Sequence, residues 1–248
     1  MSNKRLEFYK WDAAQYWNKE YKTIDWKAVH DAGGREKTVA LAAREIDLFL
    51  FPTEEKIEGL ITDTENNPFP TFSRDYVNHR PLTDYISDLE TATVLDYGCG
   101  SLARYSIEFS KRFKRVYGID ISSEAIKLAR SEVIKKERKN VVLMQNNGVN
   151  LPLPSNYIDF IFSNLVLQHI GNIEVNYAIA EEFLRVLKPG GVMRIEYLDG
   201  SARKDDLFAH PAEGSGITRD DLQKMYGDRI VSVSEETPWL WVTILKEE

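Results

Sequence analysis

The chain has 248 residues, with 32 Lys+Arg against 39 Asp+Glu, a formal charge of −7 and 43% apolar residues. Such a composition folds rather than staying disordered, its acidic balance argues against a general basic surface for nucleic acid or anionic membrane, and the single cysteine, Cys99, excludes an internal disulfide and a zinc knuckle. The opening MSNKRLEFYKWD is charged and lacks an apolar core, and the longest apolar stretch, Phe160 to Leu167, is broken by Ser163 and Asn164, so neither a secretory signal nor a membrane span of about 18 residues is expected and the protein reads as reduced and cytoplasmic.

Up to residue 90, strand-like patterning is scarce. Residues 6–30 concentrate Phe8, Tyr9, Trp11, Tyr16, Trp17, Tyr21 and Trp26, a density that calls for packing on something. Residues 37–50 place Val39, Ala42, Ala43, Ile46, Phe49 and Leu50 on one helical face, and Pro52 stops that helix. Residues 62–81 hold three prolines and paired asparagines and read as a loop. We read 1–90 as a helical N-terminal extension and 91–248 as a separate domain.

From residue 92 strand and helix alternate. Strands are expected at Thr93–Asp96, Val116–Asp120, Val141–Met144, Tyr157–Ser163 and Val192–Leu198. Between them fall helices over 103–113, from Ser122 or Ser123 with Ile126, Ala129 and Val133 inward, and over 172–187, the last ended by Lys188-Pro189-Gly190-Gly191. Thr218 begins a further helix with Asp221 completing a capping box, and Ile230–Ser234 and Leu240–Leu245 follow as strands with no helix between them. This alternation predicts an α/β, Rossmann-like, mostly parallel sheet covered on both faces, with the last strands paired antiparallel.

In such a sheet ligands bind beyond the carboxyl ends of the strands. After the first strand stands Asp96-Tyr97-Gly98-Cys99-Gly100, where bare backbone can approach a ligand or simply make a tight turn. After the second stands Gly118-Ile119-Asp120-Ile121; Asp120 lies twenty residues beyond Gly100, a spacing suited to accepting both hydrogen bonds of a ribose diol, or it only offsets a helix dipole.

VLDYGCGS, then GIDIS, then LKPGG before a fifth strand resemble the motif series of the class I S-adenosylmethionine-dependent methyltransferases over roughly residues 92–197. The resemblance implies a seven-stranded sheet with a reversed last strand and S-adenosylmethionine as cofactor. It carries Asp96, Gly98 and Gly100 to the methionine part of the cofactor, Asp120 to the ribose and Ile121 to the adenine. It carries Asn147, where the family has an acid, and Gly148 to the adenine edge. Ser163, Asn164 and Leu165 match the strand exit beside the sulfonium. Two departures stand out: Leu102 replaces an expected third glycine, and Asn147 lacks the charge of the acid it replaces.

Methyl transfer needs alignment of nucleophile and carbon–sulfur bond, and a hydroxyl nucleophile gains from a base. His169, just past the fourth strand, and His210, in the insertion 199–217 with Asp205, Asp206 and Glu213, are the candidate bases; Glu196 and Asp199 at the end of the fifth strand are further ones. No metal site is expected, because Ser163 and Asn164 stand where metal-dependent O-methyltransferases carry acids. Tyr16, Trp17 and Tyr21 either fold over the cofactor as a lid, with Tyr16 as a contact, or staple the extension to the sheet. The stretch Arg74 to Arg80, with Tyr76 and His79, either meets an anion or is a solvated loop. The basic runs at 111–115 and 135–139 sit near helix C-termini, where they complement the dipole. The expected substrate is a small polar metabolite methylated at a hydroxyl oxygen, with neither nucleic acid nor membrane as partner; the alternatives are an RNA methyltransferase and a non-catalytic cofactor-binding regulator.

Overall fold

The computed structural model describes residues 3–23, 35–50, 56, 80–200, 216–233 and 239–247. Seven strands form one sheet in the order β3-β2-β1-β4-β5-β7-β6. They are β1 (Thr93–Tyr97), β2 (Arg115–Asp120), β3 (Val141–Gln145), β4 (Ile158–Ser163), β5 (Leu187–Leu198), β6 (Ile230–Val233) and β7 (Trp239–Leu245). The β1–β2, β2–β3, β1–β4 and β4–β5 pairs are parallel, and β7 runs antiparallel to both β5 and β6. The sheet is the expected one, including the reversed last strand. Helices α1 (Asn3–Thr23) and α2 (Arg35–Leu50) precede it. Then come α3 (Arg104–Phe109) after β1, α4 (Ser123–Lys135) after β2, α5 (Ile173–Val186) after β4 and α6 (Arg219–Tyr226) after β5.

Side chains alternate across a strand, so each strand feeds two cores. Leu95, Tyr97, Ile161, Met193, Ile195 and Val242 join Ile179 and Phe183 of α5 and Leu222 of α6 on one face. Val94, Phe160, Phe162, Val192 and Trp241 join Phe109 of α3 and Ala42, Ile46 and Leu50 of α2 on the other. Phe160, Phe162 and Phe109 are fully buried, and each such side chain contributes about 1.5–3 kcal/mol of transfer free energy. The helix starts are set by their caps: Ser122 Oγ accepts from Ala125 N–H at 3.2 Å, Asn172 Oδ1 from Glu174 N–H at 2.9 Å, and Thr218 and Asp221 form the expected capping box.

Two boundaries differ most from expectation. The helix expected over 103–113 is α3, Arg104–Phe109, after which turns take over: Ser110 Oγ donates to the Ile107 carbonyl at 2.6 Å, and Asn140 Nδ2 donates to the Ser110 and Phe113 carbonyls, both at 2.9 Å. The Lys188-Pro189-Gly190-Gly191 turn is drawn into β5, because Gly190 N–H donates to the Lys246 carbonyl at 2.7 Å and Lys246 N–H to the Gly191 carbonyl at 2.9 Å. Among the described residues no helix is long and apolar enough to cross a membrane.

Candidate active site

A cavity lies over the carboxyl ends of the central strands. Its wall is Tyr97 and Gly98 after β1, Asp120 and Ile121 after β2, Asn146 and Gly148 after β3, and Leu165, Val166, His169 and Ile170 after β4; Ala13, Trp17 and Tyr21 of α1 roof it.

The β1 turn is drawn against β2 by Gly98 N–H and Cys99 N–H, both donating to the Ile119 carbonyl at 2.7 and 3.0 Å. Gly98 has φ +76°, and a Cβ there would fall 2.2 Å from Val166 Cγ2; only glycine fits. Asp120 is 8% exposed. Its Oδ2 accepts from Gly100 N–H at 3.0 Å and its Oδ1 from Ser122 N–H at 2.9 Å. Burial pushes its carboxyl up to about 6, against the pull of those backbone donors. Each oxygen keeps a lone pair for a further donor.

Across the cavity, Ile121 packs over bare Gly148, whose Cβ would meet Ile121 Cδ1 at 2.7 Å. Asn146 presents a buried Nδ2 with no partner among the described residues. An apolar ledge, a donor beside it and a carboxylate in the next loop suit an adenine ring, its nitrogen edge and a ribose diol. The cavity thus fits an adenosyl group.

The roof is fixed from one end. Asn18 Oδ1 accepts from Ser122 Oγ at 2.9 Å, Ser123 Oγ at 3.2 Å and Glu124 N–H at 3.4 Å, so α1 is tied to the start of α4. Lys22 lies 3.8 Å from Glu124. Trp17 meets the His169 ring edge-on with centroids 5.3 Å apart. Burial, and then the Asp120 charge, raise the Tyr21 hydroxyl well above its ordinary value.

Of the residues singled out by sequence, Gly98, Asp120, Ile121, Gly148, Leu165 and His169 come together in this wall. Others sit behind it or beside it. Asp96 is 2% exposed and accepts from Ser106 Oγ at 2.6 Å, pinning α3; burial raises its carboxyl to about 6. Gly100 acts through its N–H on Asp120. Asn147 Oδ1 is taken by Val149 N–H at 3.2 Å and Asn150 N–H at 2.8 Å, so it builds the turn while Asn146 faces the cavity. Tyr16 is not in the lining; the i, i+4 row Ala13, Trp17, Tyr21 is. Leu102 is half-buried and outside the lining, and the left-handed residue of that loop is Ala103, φ 45°. His210, with Asp205, Asp206 and Glu213, lies outside the described residues, as do Arg74, Tyr76 and His79. Val166, Asn146 and Ile170 carried no signal that sequence reasoning used.

A second group of polar residues lies on the α2–α3 face. Period-two alternation along the strands puts Asp96 and Glu196 on that face with Phe162, and the same repeat leads on to Asn164. Glu196, 1% exposed, accepts from Leu165 N–H through Oε2 at 2.6 Å. Leu165 is held at φ 57° by this contact, a conformation costing about 1–2 kcal/mol for a residue with a Cβ. Tyr105 donates to Glu45 Oε2 at 2.5 Å, and Arg104 lies 4.7 Å over the Tyr105 ring. Burial raises Glu45 to about 7 and Glu196 to about 8, with Arg104 pulling both back.

These shifts make stability depend on pH. A carboxyl raised above its unfolded value binds its proton more tightly in the fold, so its contribution is complete at low pH and is lost as pH rises through the folded value. The melting temperature is expected to fall between about pH 5 and about pH 9, and to fall less in Glu196→Gln, read by thermal denaturation; equal slopes in both proteins would remove Glu196 as a source.

Residues 95–195 match the family model described as a methyltransferase domain. The demethylmenaquinone methyltransferase of Listeria monocytogenes is 34% identical over 101 residues, 40% of this chain and 41% of that protein; the match thus spans about two fifths of that relative's length. An uncharacterized methyltransferase of Geobacillus thermodenitrificans is 26% identical over 185 residues, 67% of this chain and 82% of that one. A solved S-adenosylmethionine-dependent methyltransferase from Clostridium acetobutylicum shares the fold at TM-score 0.58 and 14% identity, covering 77% of this chain and 98% of its own. Residues 95–195, from β1 into β5, thus match a methyltransferase domain, and the fold around them is that of the solved S-adenosylmethionine-dependent methyltransferase, with an adenosyl-shaped socket at the rim of the matched segment.

Proposed function

We propose that the protein transfers a methyl group from S-adenosylmethionine to a hydroxyl oxygen of a small polar metabolite. The observation that carries this reading is the socket itself: Asp120 held by two backbone donors at the rim of a roofed cavity. The cofactor supplies an electrophilic methyl on a positive sulfur. The chain supplies alignment, a contribution of about 7–11 kcal/mol when reacting atoms are held in line. Asp120 receives the ribose hydroxyls, Ile121 supports the adenine, and Asn146 Nδ2 donates to its edge. Helix α1, tied down at Asn18, keeps Trp17 and Tyr21 over the cavity and excludes water.

A hydroxyl acceptor must also lose a proton. His169 lines the cavity, but its Nε2 lies 3.2 Å from Gln168 Nε2. An amide nitrogen only donates, so this contact occupies the imidazole lone pair. With Trp17 on its edge, His169 is better placed to anchor the roof than to act as base.

The test is a methylation screen of cell extract read by mass shift, with the protein and S-adenosylmethionine. A gain of one methyl on a hydroxylated metabolite is expected. Label in total RNA instead would move the reading to RNA methylation, and cofactor binding without turnover of any pool would make the chain a regulator. The Listeria relative's name supports a small molecule as acceptor.

A further inference from the structure

We propose that Glu196 and Asn164 form the acceptor subsite of the methyl transfer, in which the second oxygen of Glu196 takes the proton of an acceptor hydroxyl. This rests on reading the cavity as a S-adenosylmethionine socket.

Among the described residues, Glu196 finds a partner for only one of its oxygens. Oε1 has no partner among the described residues, and neither has Asn164 Oδ1 or Nδ2, although Glu196 is 1% and Asn164 6% exposed. An unpaired buried polar atom costs about 1–3 kcal/mol. Asn164 is the chain neighbour of Leu165, whose N–H Glu196 holds, and a carboxyl oxygen together with an amide that can both donate and accept matches the two-way hydrogen bonding of a hydroxyl. Their position matches the chemistry too. Leu165 lines the cavity and its N–H is bonded to Glu196, so the carboxyl stands one hydrogen bond behind the cavity wall.

The charges around Glu196 decide its resting state. Arg104 and Tyr105 act on it from α3 and Glu45 from α2, with Arg44 beyond, and Arg194 lies two residues away on β5. One guanidinium, that of Arg104, interacts with three carboxyls, those of Asp96, Glu45 and Glu196. Arg194 donates to the Arg80 carbonyl. Burial therefore holds a proton on Glu196 more firmly than on Glu45 or Asp96. To act, Glu196 must first ionise, and a positive charge brought to the Leu165 side of the wall favours that. In the transfer, the acceptor's O–H bond breaks and its proton passes to Glu196 Oε1. The oxygen's electron pair forms the bond to the methyl carbon, and the carbon–sulfur pair stays on sulfur, leaving S-adenosylhomocysteine.

Charged S-adenosylmethionine and its neutral product separate the two effects. Calorimetry at about pH 6.5 and about pH 8.5 should show the affinity for the sulfonium, relative to the thioether, rising with pH by about tenfold for each unit that cofactor charge lowers the Glu196 pKa. In Glu196→Gln, which keeps an oxygen for Leu165 N–H, the ratio should be flat. A flat ratio in the unaltered protein, or the same rise in the variant, overturns the coupling. Binding of neither compound at either pH overturns the socket reading itself. The hydroxyl subsite is probed with phenol against toluene on the protein loaded with S-adenosylhomocysteine: phenol should shift the Asn164 side-chain amide resonance and toluene should not. No shift with phenol, or an equal shift with toluene, overturns the subsite, and that arm needs no variant.

Discussion

Asp120→Ala is expected to weaken S-adenosylhomocysteine binding by at least about 100-fold. Hydrogen bonds to a charged group contribute about 1.5–3 kcal/mol each, so losing two at the ribose accounts for that factor or more. The carboxylate also organises its own surroundings: Gly100 N–H and Ser122 N–H both point at it, and alanine would leave two donors without their acceptor. Asp120→Asn distinguishes the contributions, since it keeps one acceptor oxygen and gives up the charge. Its affinity should fall between those of the unaltered protein and the alanine variant.

The pH dependence has a definite sign. The folded carboxyl ionises at about 6, and the ionised form is the one that accepts from the diol. Affinity should therefore be steady at pH 8 and drop as pH falls through about 6, a dependence that Asp120→Asn removes. Calorimetry reads all three proteins, and a melting curve for each separates lost binding from lost fold. Unchanged affinity in Asp120→Ala would take the residue out of the site.

Much of the socket was legible because it depends on short-range rules. Glycines where chain must turn, a serine cap after Asp120 and two-residue alternation are written within a few residues of where they act. The mostly parallel pairing followed from helices alternating with the strands, whereas the order of the strands in the sheet came only with the structure. What stayed hidden depends on register or on distance. Whether Asn146 or Asn147 faces the cavity is a one-residue matter, settled when Asn147 Oδ1 is captured by two backbone N–H groups. Tyr16 and Trp17 differ in sequence by one place but by about 100° around a helix, and which of them faces the site depends on how α1 docks at Asn18. Glu196 was in view as an acid at the end of β5. Its surroundings were not, because they are brought in by other elements: Glu45 on α2, Arg104 on α3 and Leu165 after β4. The start of β5 was misplaced for a similar reason, since Lys246, far along the chain, pairs with the two glycines.

Gly98→Ala should be the most damaging single methyl in the socket. Two costs combine. At φ +76° a residue with a Cβ pays about 1–2 kcal/mol. The added carbon would also stand 2.2 and 2.5 Å from the two Val166 methyls, and overpacking of that kind costs about 1–3 kcal/mol. Stability should fall by about 2–5 kcal/mol, and the β1 turn, which holds Asp120 through Gly100 N–H, should lose its geometry and with it the cofactor. Gly190→Ala isolates the backbone part, because Gly190 has φ +73° and nothing within 4 Å of its would-be Cβ; a loss of only about 1–2 kcal/mol is expected there. Val166→Ala in the Gly98→Ala background tests the steric part, since it removes both clashing methyls and leaves Val166 Cβ at 2.9 Å. That double variant should regain part of the lost stability in denaturant unfolding, giving a coupling energy that independent sites would not show. If Gly98→Ala and Gly190→Ala cost the same, Val166 is not what keeps position 98 bare.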